Sequence, residues 1–117
     1  MNIMKVTQLE STEKTTNILL SGSLDIAGVR DIEMDFSRLV SGEQTVLIDF
    51  SGVTFIASLG MRMLLSAAKK LDTEGNKMVL HSVPPLVETA LNIAGLATIM
   101  PIVKNESDAL NLLEDHD

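Results

Sequence analysis

Cysteine, tryptophan and tyrosine are absent from this chain of 117 residues, which contains only three phenylalanines. Without cysteine there is neither a disulfide nor a thiolate metal site, so a reducing, cytoplasmic location is expected. The scarcity of aromatic rings leaves few platforms on which nucleic acid bases or sugars could stack. Lysine and arginine do not cluster, and the net charge is −7, so nucleic acid is not an expected partner.

Long apolar runs are also lacking. None approaches the length of a membrane span, so direct insertion into a membrane is not expected. Residues 1–10 are too mixed in polarity for a signal peptide. Hydrophobic residues nevertheless make up 45% of the chain, which is typical of a folded protein. The length suits one domain, which is predicted to span residues 1–117.

Enzyme motifs are missing as well. There is no phosphate-binding glycine loop, and the residues around Ser58 lack the leading glycine of a G-x-S-x-G nucleophile elbow. The two histidines are His81, which lies in a predicted strand, and His116, near the end of the sequence. A lone strand histidine is more often packed than catalytic, and His116 is expected to be solvated. We therefore predict no catalytic residue, no cofactor and no metal site.

What is present is an alternation of strand and helix patterns. Short apolar runs rich in β-branched residues predict strands, and apolar residues three and four positions apart predict helices. The predicted strands cover residues 3–10, 17–25, 45–50, 77–83 and 98–103. The predicted helices cover residues 26–42, a segment from 58 to before Gly75, 86–96 and 107–117. This order predicts an α/β domain with four to five strands, largely parallel, and about four helices.

Spacing within each helix predicts which side chains enter the core. The expected core residues are Val29, Ile32, Phe36, Leu39 and Val40 in the first helix, Met61, Leu64, Leu65, Ala68 and Leu71 in the second, and Leu86, Ala90, Ile93 and Ala94 in the third. Met34, Leu59 and Met63 fall on the opposite faces. Outward apolar side chains beside a modifiable hydroxyl indicate a surface for docking a protein. The alternative is that they pack under a neighbouring loop or helix.

Several polar residues are placed at the ends of predicted elements. Asp25 can cap the first helix, Gly42 can end it, and Ser107 can open the last one. Asp49 lies near the carboxyl end of a central strand, where it can bind the amide groups of a loop. Asp25 and Asp49 together are a weak signal for Mg²⁺, because two acids lack a third ligand, and structural roles are favoured.

Ser58 stands where a predicted strand gives way to a helix, and this position has two interpretations. In one, its hydroxyl caps the helix by accepting a hydrogen bond from an amide of the first turn. In the other, the hydroxyl is phosphorylated, which adds nearly two negative charges to a surface that otherwise docks a partner. Sites in such sheets lie at the carboxyl ends of the strands, and Ser58 occupies such a loop.

The segment 47-LIDFSGVTFIASLGMRMLLSAAKKL-71 resembles the central motif of STAS domains, specifically those of bacterial anti-sigma factor antagonists. The pattern of that family is D-(L/F)-S-x-(V/L)-x-(F/Y)-(I/M)-D-S-x-G, followed by a helix. The residues that match it in register are Asp49, Phe50, Ser51, Val53, Phe55, Ile56, Ser58 and Gly60. Upstream, 22-GSLD-25 resembles the G-x-(L/I)-D at the end of the family's second strand. The order of elements agrees over essentially the whole chain.

The resemblance implies a small α/β domain with a mixed sheet flanked by helices. It also implies a regulator that binds an anti-sigma factor, which is itself a histidine-kinase-like serine kinase. That kinase phosphorylates the family serine, which corresponds to Ser58, and a PP2C-type phosphatase reverses the reaction. Asp25 corresponds to a family acid near the surface that faces the kinase. The residues expected to contact the partner are Asp25, Met34, Ala57, Leu59, Gly60 and Met63.

Two residues depart from the family pattern. Ala57 stands where an aspartate usually precedes the serine, and Leu59 replaces a residue that is usually small. One alternative is therefore a non-phosphorylated STAS subunit that binds the ATPase of an ABC-type membrane transport complex. Another is a sensor of a small ligand or nucleotide at the ends of the strands. The output of a switch is also open, since related switches control secretion, biofilm formation and signalling enzymes as well as sigma factors.

Overall fold

In the computed structural model, which describes residues 4–12 and 14–114, five strands lie side by side in the order of the sequence. They are β1 (Lys5–Gln8), β2 (Thr15–Leu24), β3 (Thr45–Ile56), β4 (Met78–His81) and β5 (Ile102–Val103). β1 runs antiparallel to β2, and the other neighbouring pairs are parallel. The predicted sheet, mixed and largely parallel, is therefore confirmed.

Within the same described residues, four helices connect or follow the parallel strands. They are α1 (Ile26–Leu39), α2 (Ser58–Thr73), α3 (Pro85–Ile93) and α4 (Glu106–Glu114), and a 3₁₀ turn (Leu96–Thr98) precedes β5. Right-handed crossovers between successive parallel strands put their helices on the same face of the sheet. Accordingly, α1, α2 and α3 bury their apolar side chains on one face, and α4 covers the other.

Alternation of side chains along the central strand accounts for these two faces. Val46 and Ile48 of β3 belong to the main core under α1, α2 and α3. Leu47, which points the opposite way, belongs to a smaller cluster with Val79 and Ala109 under α4. Because β3 is covered on both faces, its first half is an almost continuous apolar run rather than an alternating one.

The core faces of α1 and α2 follow the predicted spacing closely. The predicted residues that are buried are Val29, Ile32 and Phe36 in α1, Val40 directly after it, and Leu64, Ala68 and Leu71 in α2. Leu39, Met61 and Leu65 are only half-buried. Both helices are amphipathic, so their apolar spacing identifies a single face.

α3 turns a different face to the core from the one predicted. Val87 and Leu91 are buried, whereas Leu86 and Ile93 are 85% and 83% exposed. Of the other two predicted core residues, Ala90 is half-buried against the main core and Ala94 is exposed. The helix carries apolar residues around most of its circumference, so spacing alone fits more than one face. The crossover from β4 to β5 selects the face that is buried.

Two boundaries, the end of β3 and the end of α1, differ from the prediction. β3 continues to Ile56 rather than ending at residue 50, since its second half pairs with the end of β2, where Leu24 lies opposite Ile56. α1 ends at Leu39, and Gly42 lies in the following loop with a φ of +98°. Left-handed φ angles of this kind favour glycine.

The strand predicted over residues 98–103 is reduced to Ile102–Val103. The chain forms a 3₁₀ turn before it, so residue 98 is not extended. Pro101 still serves the sheet, because its carbonyl accepts a hydrogen bond from the amide of Leu80 at 2.9 Å. Proline has no amide to donate, which confines it to such an edge position.

The last helix begins before the predicted residue. Asn105 caps α4, because its side-chain oxygen accepts a hydrogen bond from the amide of Asp108 at 2.8 Å. Ser107, the predicted opening residue, is already inside the helix. The final part of the predicted helix, residues 115–117, lies outside the described residues.

The first turns of α1 and α2 approach the end of β2 at two glycines. A Cβ atom at Gly28 would lie 2.0 Å from the carbonyl oxygen of Ser23, and one at Gly60 would lie 2.8 Å from that of Leu24. Both distances are shorter than a Cβ contact allows, and both opposing atoms belong to the backbone. Glycine therefore permits both helices to start this close to the strand.

We expect Gly28→Ala to lower the free energy of unfolding by about 2–3 kcal/mol, because the added methyl group overlaps a backbone carbonyl. Alanine otherwise favours a helix over glycine by about 1 kcal/mol, so a stabilised variant would contradict the close approach. Urea unfolding followed by far-ultraviolet circular dichroism measures the change. Ser37→Ala, at an exposed position of the same helix, is the control and should change stability by less than about 0.5 kcal/mol.

Candidate functional site

The two sequence segments that resemble the family motif meet at one end of the sheet. β2 and β3 are parallel, and Leu24 lies opposite Ile56 at the end of their pairing. The amide of Ala57 donates a hydrogen bond to the carbonyl of Leu24, with 2.9 Å between nitrogen and oxygen. The loop that carries Asp25 and the start of α2 at Ser58 are therefore neighbours at the carboxyl ends of these strands.

Asp25 caps α1, as the sequence predicts. Its Oδ1 accepts a hydrogen bond from the amide of Gly28 at 2.8 Å, and its Oδ2 accepts one from the Ser23 hydroxyl at 3.2 Å. Its carbonyl accepts the first helical hydrogen bond, from the amide of Val29. These contacts are typical of an N-cap, and they fix the half-buried carboxylate in the loop.

The N-cap of α2 is Ala57, so the interpretation of Ser58 as a cap is wrong. The carbonyl of Ala57 accepts a hydrogen bond from the amide of Met61 at 3.1 Å, which makes Ser58 the first residue of the helix. This arrangement arises because β3 continues to Ile56 and leaves one residue between strand and helix. The exposed Ser58 hydroxyl has no hydrogen-bond partner among the residues that the structure describes.

Position 57 carries a methyl group at the N-cap of α2, where helices usually have a side chain that accepts a hydrogen bond. Ala57 has the extended backbone angles of an N-cap, with φ −101° and ψ 172°, but no side-chain hydrogen bond caps α2. At the equivalent position of α1, the carboxylate of Asp25 provides that bond. Alanine in place of a capping acid forgoes a contribution of about 1 kcal/mol to stability.

The other residues expected to contact a partner have different surroundings. Met34 is 80% exposed, as predicted. Leu59 and Met63 are half-buried and pack against the main core, so the prediction that they face away from it is wrong. The reason is that α1 lies beside α2 and covers one side of it. Gly60 is buried where α2 meets β2, so it shapes the loop rather than offering a side chain.

A groove of about 580 Å³ runs between α1 and α2. Its apolar lining includes Met34 and Phe36 from α1 and Met63 from α2, and Lys70 contributes a positive charge. Methionine side chains are flexible and suit adaptable contacts with proteins. The groove therefore presents a concave, partly apolar surface on the two helices that begin at the site.

A second cleft, of about 540 Å³, opens directly beside Ser58. Ser58 and Arg62 line it from α2, and Ile26 and Arg30 line it from α1. Neither arginine is among the residues predicted from the sequence. The available signal was the spacing of Ser58 and Arg62, since residues four apart lie on the same face of a helix.

The remaining candidates have structural roles or lie elsewhere. His81 is buried, as predicted for a packed strand histidine, and its Nδ1 is 2.9 Å from the hydroxyl oxygen of Ser82. Asp49 has a structural contact, since it accepts a hydrogen bond from the amide of Ser51 at 2.8 Å. Ser51 belongs to β3 itself, so the prediction that Asp49 binds the amide groups of a loop is wrong. His116 lies outside the described residues.

Across residues 4–12 and 14–114, no group of three or more histidine, cysteine, aspartate or glutamate side chains is arranged to hold a metal ion. No helix in that part of the chain combines the length and the apolar character needed to cross a membrane.

Comparison with known proteins agrees with the fold and the motif. A family model described as "Mlab, STAS domain" matches residues 7–104. The anti-sigma F factor antagonist of Paenibacillus polymyxa is 30% identical over 99 residues, which cover 83% of this chain and 85% of that protein. The chain belongs to the STAS domain family. Within it, this STAS domain is related to the anti-sigma factor antagonists, which are regulators and not enzymes.

Solved structures share the fold of this STAS domain. An anti-sigma factor antagonist from Mycobacterium paratuberculosis has a TM-score of 0.81 at 23% identity, covering 94% of this chain and 95% of that one. The Bacillus cell fate determinant SpoIIAA in its phosphorylated form has a TM-score of 0.69 at 22% identity, with coverage of 93% and 99%. At these identities, the likeness concerns the fold.

We expect Ala57→Asn to raise the free energy of unfolding of this STAS domain by about 1 kcal/mol, because asparagine can accept a hydrogen bond from the first turn of α2. Ala57→Asp should give at least the same gain, since its negative charge lies at the helix N-terminus. Asp25→Ala is the converse control, because it removes the existing cap of α1 and should cost about 1 kcal/mol. If urea unfolding showed Ala57→Asn to be no more stable than the wild type, position 57 would not be a vacant cap.

Proposed function

We propose that this STAS domain acts in partner switching. It binds an anti-sigma factor that is also a histidine-kinase-like serine kinase, and this binding releases the sigma factor. Phosphorylation of Ser58 by the kinase ends the binding. A PP2C-type phosphatase removes the phosphate and restores the form that binds.

The observation that carries this proposal is the state of the Ser58 hydroxyl. It is exposed at the first residue of α2 and forms no hydrogen bond with any described residue. A capping serine would use its oxygen to hold the helix, whereas this oxygen is available for reaction. SpoIIAA, a protein of the same fold, exists in a phosphorylated form, which supports phosphorylation of such a domain.

The proposed modification is a phosphoryl transfer from ATP bound to the kinase. The Ser58 oxygen forms a bond to the γ-phosphorus, the bond from that phosphorus to the bridging oxygen breaks, and ADP leaves. The hydroxyl proton passes to a base of the kinase, because no described side chain accepts a hydrogen bond from this hydroxyl. In the reverse step, the phosphatase transfers the phosphoryl group from Ser58 to water.

In this proposal the docking surface consists of Asp25, Met34, Leu59 and Met63. Met34 and Met63 line the groove between α1 and α2, Leu59 lines the cleft beside Ser58, and Asp25 caps α1. Ala57, the N-cap of α2, and Gly60, in its first turn, set the position of Ser58 between them. A phosphate at this position adds nearly two negative charges. Burying such a charged group in an interface removes it from water at a large cost, so a close contact with the kinase could not persist after phosphorylation.

We expect Ser58→Asp to weaken binding to the kinase-like anti-sigma factor by roughly 2–5 kcal/mol, because burying the carboxylate in the interface removes it from water. Ser58→Ala should bind about as tightly as the wild type, since the hydroxyl forms no hydrogen bond with any described residue of the free domain. Isothermal titration calorimetry with the purified kinase and nucleotide measures both affinities.

The matched control is Ser107→Asp, which makes the same chemical change at an exposed position of α4, on the opposite face of the sheet. Its affinity should equal that of the wild type. This comparison separates a local effect at Ser58 from a general effect of added charge on a protein that already carries −7. Equal affinities for Ser58→Ala and Ser58→Asp would refute the switch.

A second candidate function is that of a non-phosphorylated STAS subunit bound to the ATPase of an ABC-type membrane transport complex. Ala57 favours it, because the methyl group leaves α2 without the capping acid of the family pattern.

Mass spectrometry of the protein purified from its own cells distinguishes the two functions. Under partner switching, we expect the tryptic peptide 39–62 to carry a phosphate on Ser58 under at least one growth condition. Fragmentation must place the phosphate on Ser58 rather than on another hydroxyl of the same peptide, which also contains Ser41, Thr45, Ser51 and Thr54. Absence of phosphate from Ser58 under every condition would favour the transport subunit.

A further inference from the structure

We infer that Arg30 and Arg62 hold the phosphate of phosphorylated Ser58 within the domain, across the cleft between α1 and α2. This inference rests on the proposed function, because it requires a phosphate on Ser58. In the phosphorylated state, Arg30 and Arg62 bind the phosphate on Ser58, so the new charge is compensated inside the same chain.

The distribution of arginine along the chain is the first support. The sequence contains three arginines, and two of them line the cleft of about 540 Å³ beside Ser58. The third, Arg38, lies in the last turn of α1 and forms an ion pair with Asp35. In a chain with a net charge of −7, two guanidinium groups at one exposed hydroxyl form a local positive site.

The helical positions bring the three groups within reach of one another. Ser58 and Arg62 are four residues apart on α2, so their Cβ atoms lie roughly 6 Å apart on the same side of the helix. Arg30 lines the same cleft from α1, one turn after Ile26. Both arginines are exposed, and neither forms an ion pair with any residue that the structure describes, so both can rotate toward a phosphate.

The chemistry of a phosphoserine suits this pair of arginines. Its phosphate presents three acceptor oxygens, and one guanidinium can donate two parallel N–H hydrogen bonds to such a group. Arginines on two separate helices can therefore hold one phosphate from two sides. Because they favour the doubly ionised form, they lower the pH at which the phosphate loses its second proton.

Few acidic groups oppose this arrangement. Ala57 lines the cleft beside Ser58 with an uncharged methyl group, where the family pattern has an aspartate that would repel the phosphate. On α1, the carboxylate of Asp25 is bonded to the backbone, and Asp31 and Glu33 are not part of the cleft lining. The absence of an acid at position 57 and the presence of the two arginines therefore both favour a negatively charged phosphate in the cleft.

The test uses the full chain with phosphoserine installed at position 58 during translation, so that no kinase is needed. Phosphorus-31 NMR follows the phosphate through a pH titration. The pH midpoint should lie below that of a free phosphoserine peptide, and Arg30→Gln and Arg62→Gln should each raise it by about half a pH unit. Arg38→Gln, which removes the same charge at the other end of α1, should leave the midpoint unchanged.

Three results would overturn the inference. They are a midpoint equal to that of the free peptide, a midpoint that responds to neither Arg30→Gln nor Arg62→Gln, and an equal response to Arg38→Gln. If the first two variants lost partner affinity while the midpoint stayed fixed, the arginines would belong to the docking surface instead. The titration contains no partner, so its result does not depend on the switch. If the midpoint were lowered while phosphorylation left partner binding unchanged, the switch would be refuted, and Arg30 and Arg62 would still be the residues that hold the phosphate.

Discussion

The hydrogen bond from the amide of Ala57 to the carbonyl of Leu24 is the contact around which the site is arranged. Leu24 is fully buried at the end of β2, and Gly60 of α2 packs against the same peptide group. A larger residue at that glycine would push α2 away from the strand. Because this close approach fixes the start of α2, the loop of Asp25 and the hydroxyl of Ser58 are held at neighbouring positions.

The pairing of β3 with β2 also explains why the Ser58 hydroxyl is exposed. β3 stays paired with β2 as far as Ile56, so a single residue, Ala57, remains to turn the chain into α2. That residue takes the N-cap position, and the serine moves into the helix with its oxygen exposed. The start of α2 is held by backbone pairing and by packing against β2 rather than by a capping side chain. An exposed hydroxyl and a helix start that is fixed by backbone pairing are thus combined in one short segment.

The charge beside Ser58 is positive, opposite in sign to the net charge of the chain. The protein is acidic, yet Arg30 and Arg62 converge on the cleft that contains Ser58, and none of the described acidic residues lines that cleft. The partly apolar groove that includes Met34 and Met63 begins on the same two helices. In the proposed switch, docking and modification therefore share one edge of the domain, where a phosphate can be held in place and a partner excluded.

The sequence by itself determined the order of strands and helices, the cap at Asp25 and the family motif, because periodicity and capping depend on residues close together in the chain. Tertiary structure decided where β3 ends, and hence that Ala57 rather than Ser58 caps α2. It also decided that Leu91 rather than Ile93 enters the core and that Arg30 meets the serine loop. These outcomes depend on pairing and packing between distant segments, which local pattern does not encode.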